Sequence, residues 1–265
     1  MMEHTQKIFD THAHYDDEAF DPDREAVIAS LREHGIGKVV NVGANREGTE
    51  KSLALTEKYD FFYGAAGVHP SDTIEFENGT ASIDWLWKMA SSPKMVAIGE
   101  IGLDYYWDAT DREIQKKWFR EQMALAKELD KPVIIHSREA AKDTLDLIRE
   151  AGGRDLSMVI HCFSYEVEMA REYLNLGYYF GIGGVSTYKN ARKLKEVIQY
   201  LPLEQILLET DCPYLSPTPH RGTRNSSLNL EYVIRAIAEL KEIPEEKVIE
   251  ATWANAHRFY RLQES

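Results

Sequence analysis

Five of the nine histidines in this chain, His12, His14, His69, His136 and His161, fall at the ends of short apolar runs, and two carboxylates, Glu100 and Asp211, end similar runs. Imidazole and carboxylate together form the donor set of divalent transition cations, and the chemistry such a set serves is hydrolysis by a water whose proton is made acidic. His12 and His14 are two residues apart, so on a strand both rings point to one side and can chelate a single ion. From His136 to His161 is 25 residues and from His161 to Asp211 is 50, one and two units of a regular repeat. A lone His-x-His is as readily a hydrogen-bonded pair as a chelate. A lone Glu100 is as readily an ion-pair partner, and a lone His136 or His161 is more often a satisfied core histidine. Together, His12, His14, Glu100, His136, His161 and Asp211 would be a costly gathering of buried polar groups without a metal to hold them. Cys162 and Cys212, each one residue past a candidate, read as small buried hydrophobes facing outward, not as ligands.

Placing these side chains together requires a parallel α/β fold. Strands are expected over 8–14, 38–43, 61–69, 95–102, 132–137, 157–163, 178–184 and 205–211. Helical spacing follows at 23–34, 47–59, 81–91, 111–130, 138–151, 165–176, 189–200 and 228–241, with a further amphipathic helix at 245–262. Eight βα units in 265 residues fit a single (β/α)8 TIM barrel with an extra C-terminal helix, one domain over 1–265, with a doubly wound open sheet as the main competitor. Functional side chains of a barrel stand at the carboxyl ends of its strands. Val96, Ile98 and Glu100 should share one face, as should Ile134 with His136, Val159 with His161, and Leu207 and Glu209 with Asp211. Ser164 is placed to cap a helix that Gly177 closes, and Gly35 and Gly152 close two others. Gly181, Gly183 and Gly184 end a strand that supplies no ligand, and their small size would leave room for a substrate.

Lysine and arginine number 31 against 44 acidic residues, a formal charge of −13 at pH 7. This disfavours a protein that simply coats nucleic acid or an anionic membrane through an extended basic face, while allowing a local anion site. The basic run Lys189, Arg192, Lys193 and Lys195 reads as a solvated helix face. Two cysteines make no disulfide framework. The start, MMEHTQKIFDTHAHYD, has no apolar segment of signal-peptide type, and no run approaches a membrane span. The expectation is a cytoplasmic protein with no membrane association and no obligate protein partner.

The segments DTHAHYD (10–16), GVHP (67–70), GEIGLDYY (99–106), IIHSREA (134–140), IHCFS (160–164), ETDCPYL (209–215) and RGTRN (221–225) run from end to end of the chain. In them the sequence resembles the TatD family of metal-dependent deoxyribonucleases in the amidohydrolase superfamily. The resemblance implies a TIM barrel holding two divalent cations (Zn, Mn, Mg, Co or Ni). His12, His14 and Asp211 would hold one, His136 and His161 the second, and Glu100 would bridge them, where many superfamily relatives use a carboxylated lysine. The implied activity is exonuclease-like cleavage of DNA phosphodiesters by a metal-activated water, with Glu100 and Asp211 as catalytic residues. DNA would be taken as single strands or frayed ends. His69, Tyr105, Arg138, Arg221 and Arg224 are the candidate substrate contacts, with an ordinary salt bridge or helix-end contact as the alternative for each; Tyr105, Tyr106 and Trp107 are placed either to stack on an unpaired base or to pack the loop after the fourth strand. RGTRNSSLNLEY departs from the Asn-Glu-Pro-like segment that often follows in the family. Two alternatives stand beside this reading: an amidohydrolase-type hydrolase of a small amide, lactone or ester, and a metal-binding interaction module without turnover.

Overall fold

Eight parallel strands follow one another around a single sheet in chain order: β1 Ile8–Ala13, β2 Ile36–Val42, β3 Phe62–Ala66, β4 Met95–Asp104, β5 Val133–Arg138, β6 Met158–Ile160, β7 Tyr179–Ile182 and β8 Ile206–Leu208. The computed structural model describes residues 7–74, 83–107 and 109–263. The first and last strands meet just past β8, where Ala13 bridges Cys212 and the His14 N–H donates to the Cys212 carbonyl at 2.8 Å. The sheet is thus a TIM barrel.

The helices between strands are α1 Arg24–Leu31, α2 Arg46–Lys58, α3 Asp84–Ala90, α4 Arg112–Glu128, α5 Ala141–Glu150, α6 Val167–Asn175, α7 Arg192–Tyr200 and α8 Leu230–Lys241. α9, Glu245–Tyr260, is the extra C-terminal helix. The helix expected from residue 81 begins at Asp84; positions 81–82, like the chain start MMEHTQ, lie outside the described residues. Among the described residues no helix is long and apolar enough to cross a membrane.

The apolar side chains form two layers. The larger lies between sheet and helices, and the smaller fills the barrel with Phe9, Val40, Val42, Ala65, Val96, Ile134, Val159, Tyr179 and Leu207. α9 stoppers this interior with Ala256, Phe259 and Tyr260, at the end where the strands begin. The Tyr260 hydroxyl donates to the Thr11 carbonyl at 2.8 Å, and the Asn255 amide donates to the Leu203 and Ile206 carbonyls at 2.8 and 2.9 Å. Polar groups are therefore left to the opposite, carboxyl end.

Three expectations need correction. β6 and β8 have three residues each, so His161 and Asp211 lie beyond the ladder and not within it. Cys162 and Asp211 take left-handed φ values of 45° and 56°, which end an extended run. Ile98 belongs to the outer layer, not to the face of Val96, because β4 carries an extra residue at Val96, between the partners of Gly64 and Ala65 on β3. Ser164 caps nothing: α6 starts at Val167 after Glu166, without a side-chain cap.

Phe259 is buried in the interior cluster with its ring 5.3 Å from that of Tyr179. Phe259→Ala is expected to lower unfolding free energy by about 3–5 kcal/mol, measured by denaturant titration. A loss near zero would show that α9 does not complete the core.

Candidate metal centre

All six residues singled out by type and spacing converge at the carboxyl end of the barrel. The end of β1 presents His12 and His14 together, with their Nε2 atoms 3.1 Å apart. Asp211 reaches them from beyond β8, its Oδ1 lying 3.3 Å from His14 Nε2 and 3.8 Å from His12 Nε2. Glu100, midway along β4, aims its carboxylate into the middle. Its Oε2 lies 3.9 Å from His12 Nε2, 3.5 Å from His136 Nδ1 and 3.7 Å from His161 Nε2. That oxygen is buried and has no hydrogen-bond partner.

A buried carboxylate oxygen left unsatisfied among three imidazole nitrogens is costly in a finished protein. Ligand atoms at about 2.0–2.1 Å from one ion stand roughly 3.4 Å apart when tetrahedral, and the separations here are of that order. The donors fit divalent cations. Three sets in this cluster bring their ligand atoms close together: His12 with Glu100 and His161, His12 with His14 and Asp211, and His69 with Glu100 and His136. Burial pushes the Glu100 carboxyl up, but the imidazoles of His136, His69, His12 and His161 bring it well below the usual carboxylate range. The electrostatics thus keep Glu100 ionised.

The rings are held from behind. His14 Nδ1–H donates to the Val42 carbonyl at 2.8 Å, and His136 Nε2 lies 3.0 Å from Asp104 Oδ2. Asp104 also accepts the Tyr106 and Trp107 N–H groups at 2.9 and 3.0 Å. Burial pushes its carboxyl up, yet His136 and these backbone donors hold it at about 2. Asp10 works across the barrel seam. Its carboxylate accepts from the Thr210 hydroxyl at 2.7 Å, the Thr210 N–H at 3.1 Å and the Ser227 hydroxyl at 2.6 Å, which fixes the segment leading to Asp211. Both acids escaped the sequence reading. Asp104 lies within GEIGLDYY at the end of β4 and Asp10 two residues before His12, so motif position was the available signal.

The centre forms the floor of a cavity of about 730 Å³, and a side cavity of about 250 Å³ opens between His136, His161 and Asp211. His69 and Arg138 line the main cavity. His69 has its ring centroid 4.4 Å from that of His136, and burial lowers its pKa to about 4. Tyr105, Arg221 and Arg224 line neither cavity. The Tyr105 hydroxyl donates to Asp143 at 2.7 Å, turned away from the mouth that Asp104 lines. Arg224 is paired with both oxygens of Asp23 at 2.6 and 2.7 Å, and Arg221 stacks on Tyr188 at 4.1 Å. Trp107 lines the mouth, 64% exposed.

Two further expectations change. Cys162 is only partly buried and lines the side cavity, its left-handed φ having turned it off the outward face, whereas Cys212 is fully buried. The glycines of β7 and its loop do not simply leave room for substrate. A Cβ on Gly181 would stand 2.1 Å from Glu209 Oε2, and one on Gly184 2.1 Å from the Leu215 carbonyl.

The apolar layers make no use of the centre, so chelation is expected to abolish activity while leaving the circular dichroism spectrum and a cooperative melt. The fall in Tm should be no larger than lost ligand binding accounts for. Unfolding on chelation at room temperature would contradict this.

With the geometry in place, comparison with known proteins is direct. The family model "TatD related DNase" matches residues 9–261. The chain is 42% identical over 255 residues to the uncharacterized metal-dependent hydrolase YabD of Bacillus subtilis, covering 96% of this chain and 99% of that one. It is 33% identical over 261 residues to YcfH of Escherichia coli, also called an uncharacterized metal-dependent hydrolase, covering 97% of each. The crystal structure of YjjV, a TatD homologue from Escherichia coli, superimposes with a TM-score of 0.89 at 33% identity, covering 97% of this chain and 99% of that one. Matching barrel, donor cluster and relatives over nearly the whole length place this chain in the TatD family of metal-dependent hydrolases.

Proposed function

We propose that the protein is a deoxyribonuclease that cleaves DNA phosphodiesters at single-stranded or frayed ends, using two divalent cations. The observation carrying this reading is Glu100 Oε2, unsatisfied among the nitrogens of His12, His136 and His161, with Asp211 alongside, on the floor of an open cavity. His12, His14 and Asp211 would hold one cation, His136 and His161 the other, and Glu100 both. Four imidazoles with carboxylates suit Zn, Mn, Co or Ni, with Mg as an exchangeable substitute. When bound, such a pair neutralises charge on phosphate oxygens and makes a water acidic near neutral pH.

The chain's own residues supply the rest. Asp211 accepts the proton of the attacking water at a carboxylate oxygen. Arg138 stacks on Tyr106 at 4.0 Å and lies 5.6 Å from Trp107, so a rigidly held guanidinium faces the cavity where a phosphate would lie. The exposed face of Trp107 can stack on an unpaired base. Asp16, Asp17, Glu18, Glu47 and Asp72 also line the mouth, against Lys51 and Arg138. That acidic rim disfavours a long duplex and suits short or terminal segments. It also favours a second reading, hydrolysis of a small uncharged amide, lactone or ester by the same centre. The protein would then act without a membrane or an obligate protein partner, and in the cytoplasm.

The test is nucleotide release from a labelled single-stranded oligonucleotide under several divalent metals, beside a panel of small esters, lactones and amides. Asp211→Asn is expected to lower turnover by about a hundred- to ten-thousandfold. Arg138→Ala should raise KM about tenfold with a smaller effect on kcat, the size of a lost charged hydrogen bond. Turnover of the small neutral substrates with none of the oligonucleotide would replace the nuclease reading with the second one.

A further inference from the structure

Glu209 is a carboxylate buried to 1% exposure, lines neither cavity and was not among the expected ligands. Such a group is expensive unless every lone pair has a use. Its two oxygens face two different donors. Oε1 accepts the Cys162 N–H at 2.6 Å, and Oε2 lies 3.2 Å from His161 Nδ1, an ion-pair distance at which that buried nitrogen is not yet aligned for a hydrogen bond and has no other partner. The opposite ring nitrogen, His161 Nε2, is the one that faces Glu100 and Asp211, at 3.7 Å from each. β7 makes space for this arrangement, since Gly181 lacks the Cβ that would overlap the Glu209 carboxylate.

We propose that Glu209 is a positioning residue: anchored at Oε1 by the Cys162 N–H, it offers Oε2 as the acceptor that His161 Nδ1–H takes when the ring turns onto an ion, which fixes the His161 tautomer so that the Nε2 lone pair points into the metal centre. The inference rests on His161 acting as a metal ligand and is independent of the substrate. A carboxylate is required because two donors must be met by two acceptors. Glutamine offers one acceptor. If its oxygen meets the Cys162 N–H, its NH2 faces Nδ1 and favours the tautomer protonated at Nε2, which has no lone pair for an ion. If its oxygen meets Nδ1–H, its NH2 opposes the Cys162 N–H. The rival role for these atoms is direct ligation, as His161, Cys162 and Glu209 themselves bring three ligand atoms close together.

The experiment is zinc titration of the metal-free full-length protein, wild type beside Glu209→Gln and Cys162→Ser, with far-ultraviolet circular dichroism and melts of each metal-free form. Glu209→Gln is expected to weaken one zinc equivalent by about 10–100-fold, with the metal-free melt little changed. Cys162→Ser should bind as wild type, because the proposed role calls on its backbone N–H and not on the thiol beside His161. Gly181→Ala, which pushes the carboxylate aside without altering it, should reproduce the Glu209→Gln defect. A long-range 1H–15N spectrum of the zinc-loaded wild type should place the His161 proton on Nδ1, a readout that depends on no variant folding. Wild-type zinc affinity in folded Glu209→Gln, or zinc on Nδ1 with the proton on Nε2, overturns the proposal. Equal loss of an equivalent in Glu209→Gln and Cys162→Ser overturns it in favour of ligation. A wild type that binds no zinc removes the metal centre itself, whereas lack of oligonucleotide cleavage with zinc binding intact removes only the nuclease reading.

Discussion

The structure depends on keeping Glu100 ionised and aimed inward while removing it from water. A lone carboxylate so placed would take up a proton. Here the surrounding imidazoles reverse that tendency, provided their rings are aimed, although Nδ1 of His12 and of His161 makes no hydrogen bond. The demand therefore passes outward: His136 to Asp104, His14 to the Val42 carbonyl, His161 to Glu209. Each of these partners then needs donors or shielding of its own. Asp104 takes two backbone N–H groups, and Glu209 needs the missing side chain of Gly181. A single ionic requirement thus dictates residue choice at three removes.

The barrel makes such a requirement affordable by dividing labour along its axis. Apolar side chains and α9 fill the amino end, so cohesion does not depend on the carboxyl end. The carboxyl end is then free to hold groups that would weaken any core. The register shift in β4 belongs to this division, for it carries the strand from an apolar run at Val96 and Ala97 to a carboxylate at Glu100 within four residues.

The features legible in the sequence were those with a period. Eight apolar runs alternating with helical spacing gave the barrel, and ligand types recurring at intervals of a βα unit gave the six converging groups. What escaped depended on contacts between distant segments. Nothing local tells that Arg224 is held by Asp23 or Arg221 by Tyr188. For Tyr105 the sequence left stacking and packing open, and a contact with Asp143, 38 residues away, decides for packing. Gly181 does line the side cavity, as expected of a small residue, but its second use, clearing the carboxylate of Glu209, could not be seen. The backbone turns at Cys162 and Asp211 were invisible for a related reason: left-handed φ at a non-glycine residue is imposed by its surroundings.

The seam between the first and last strands is joined by side chains as well as by backbone, Asp10 gripping Thr210 and Ser227, and this sets an order in time. A nascent chain of some two hundred residues has all four imidazoles and Glu100, yet it lacks Asp211, both hydroxyl partners of Asp10 and the stopper helix. The donor cluster can be completed only after translation has delivered its final quarter, so a partly made chain has no finished hydrolytic centre to release near the ribosome.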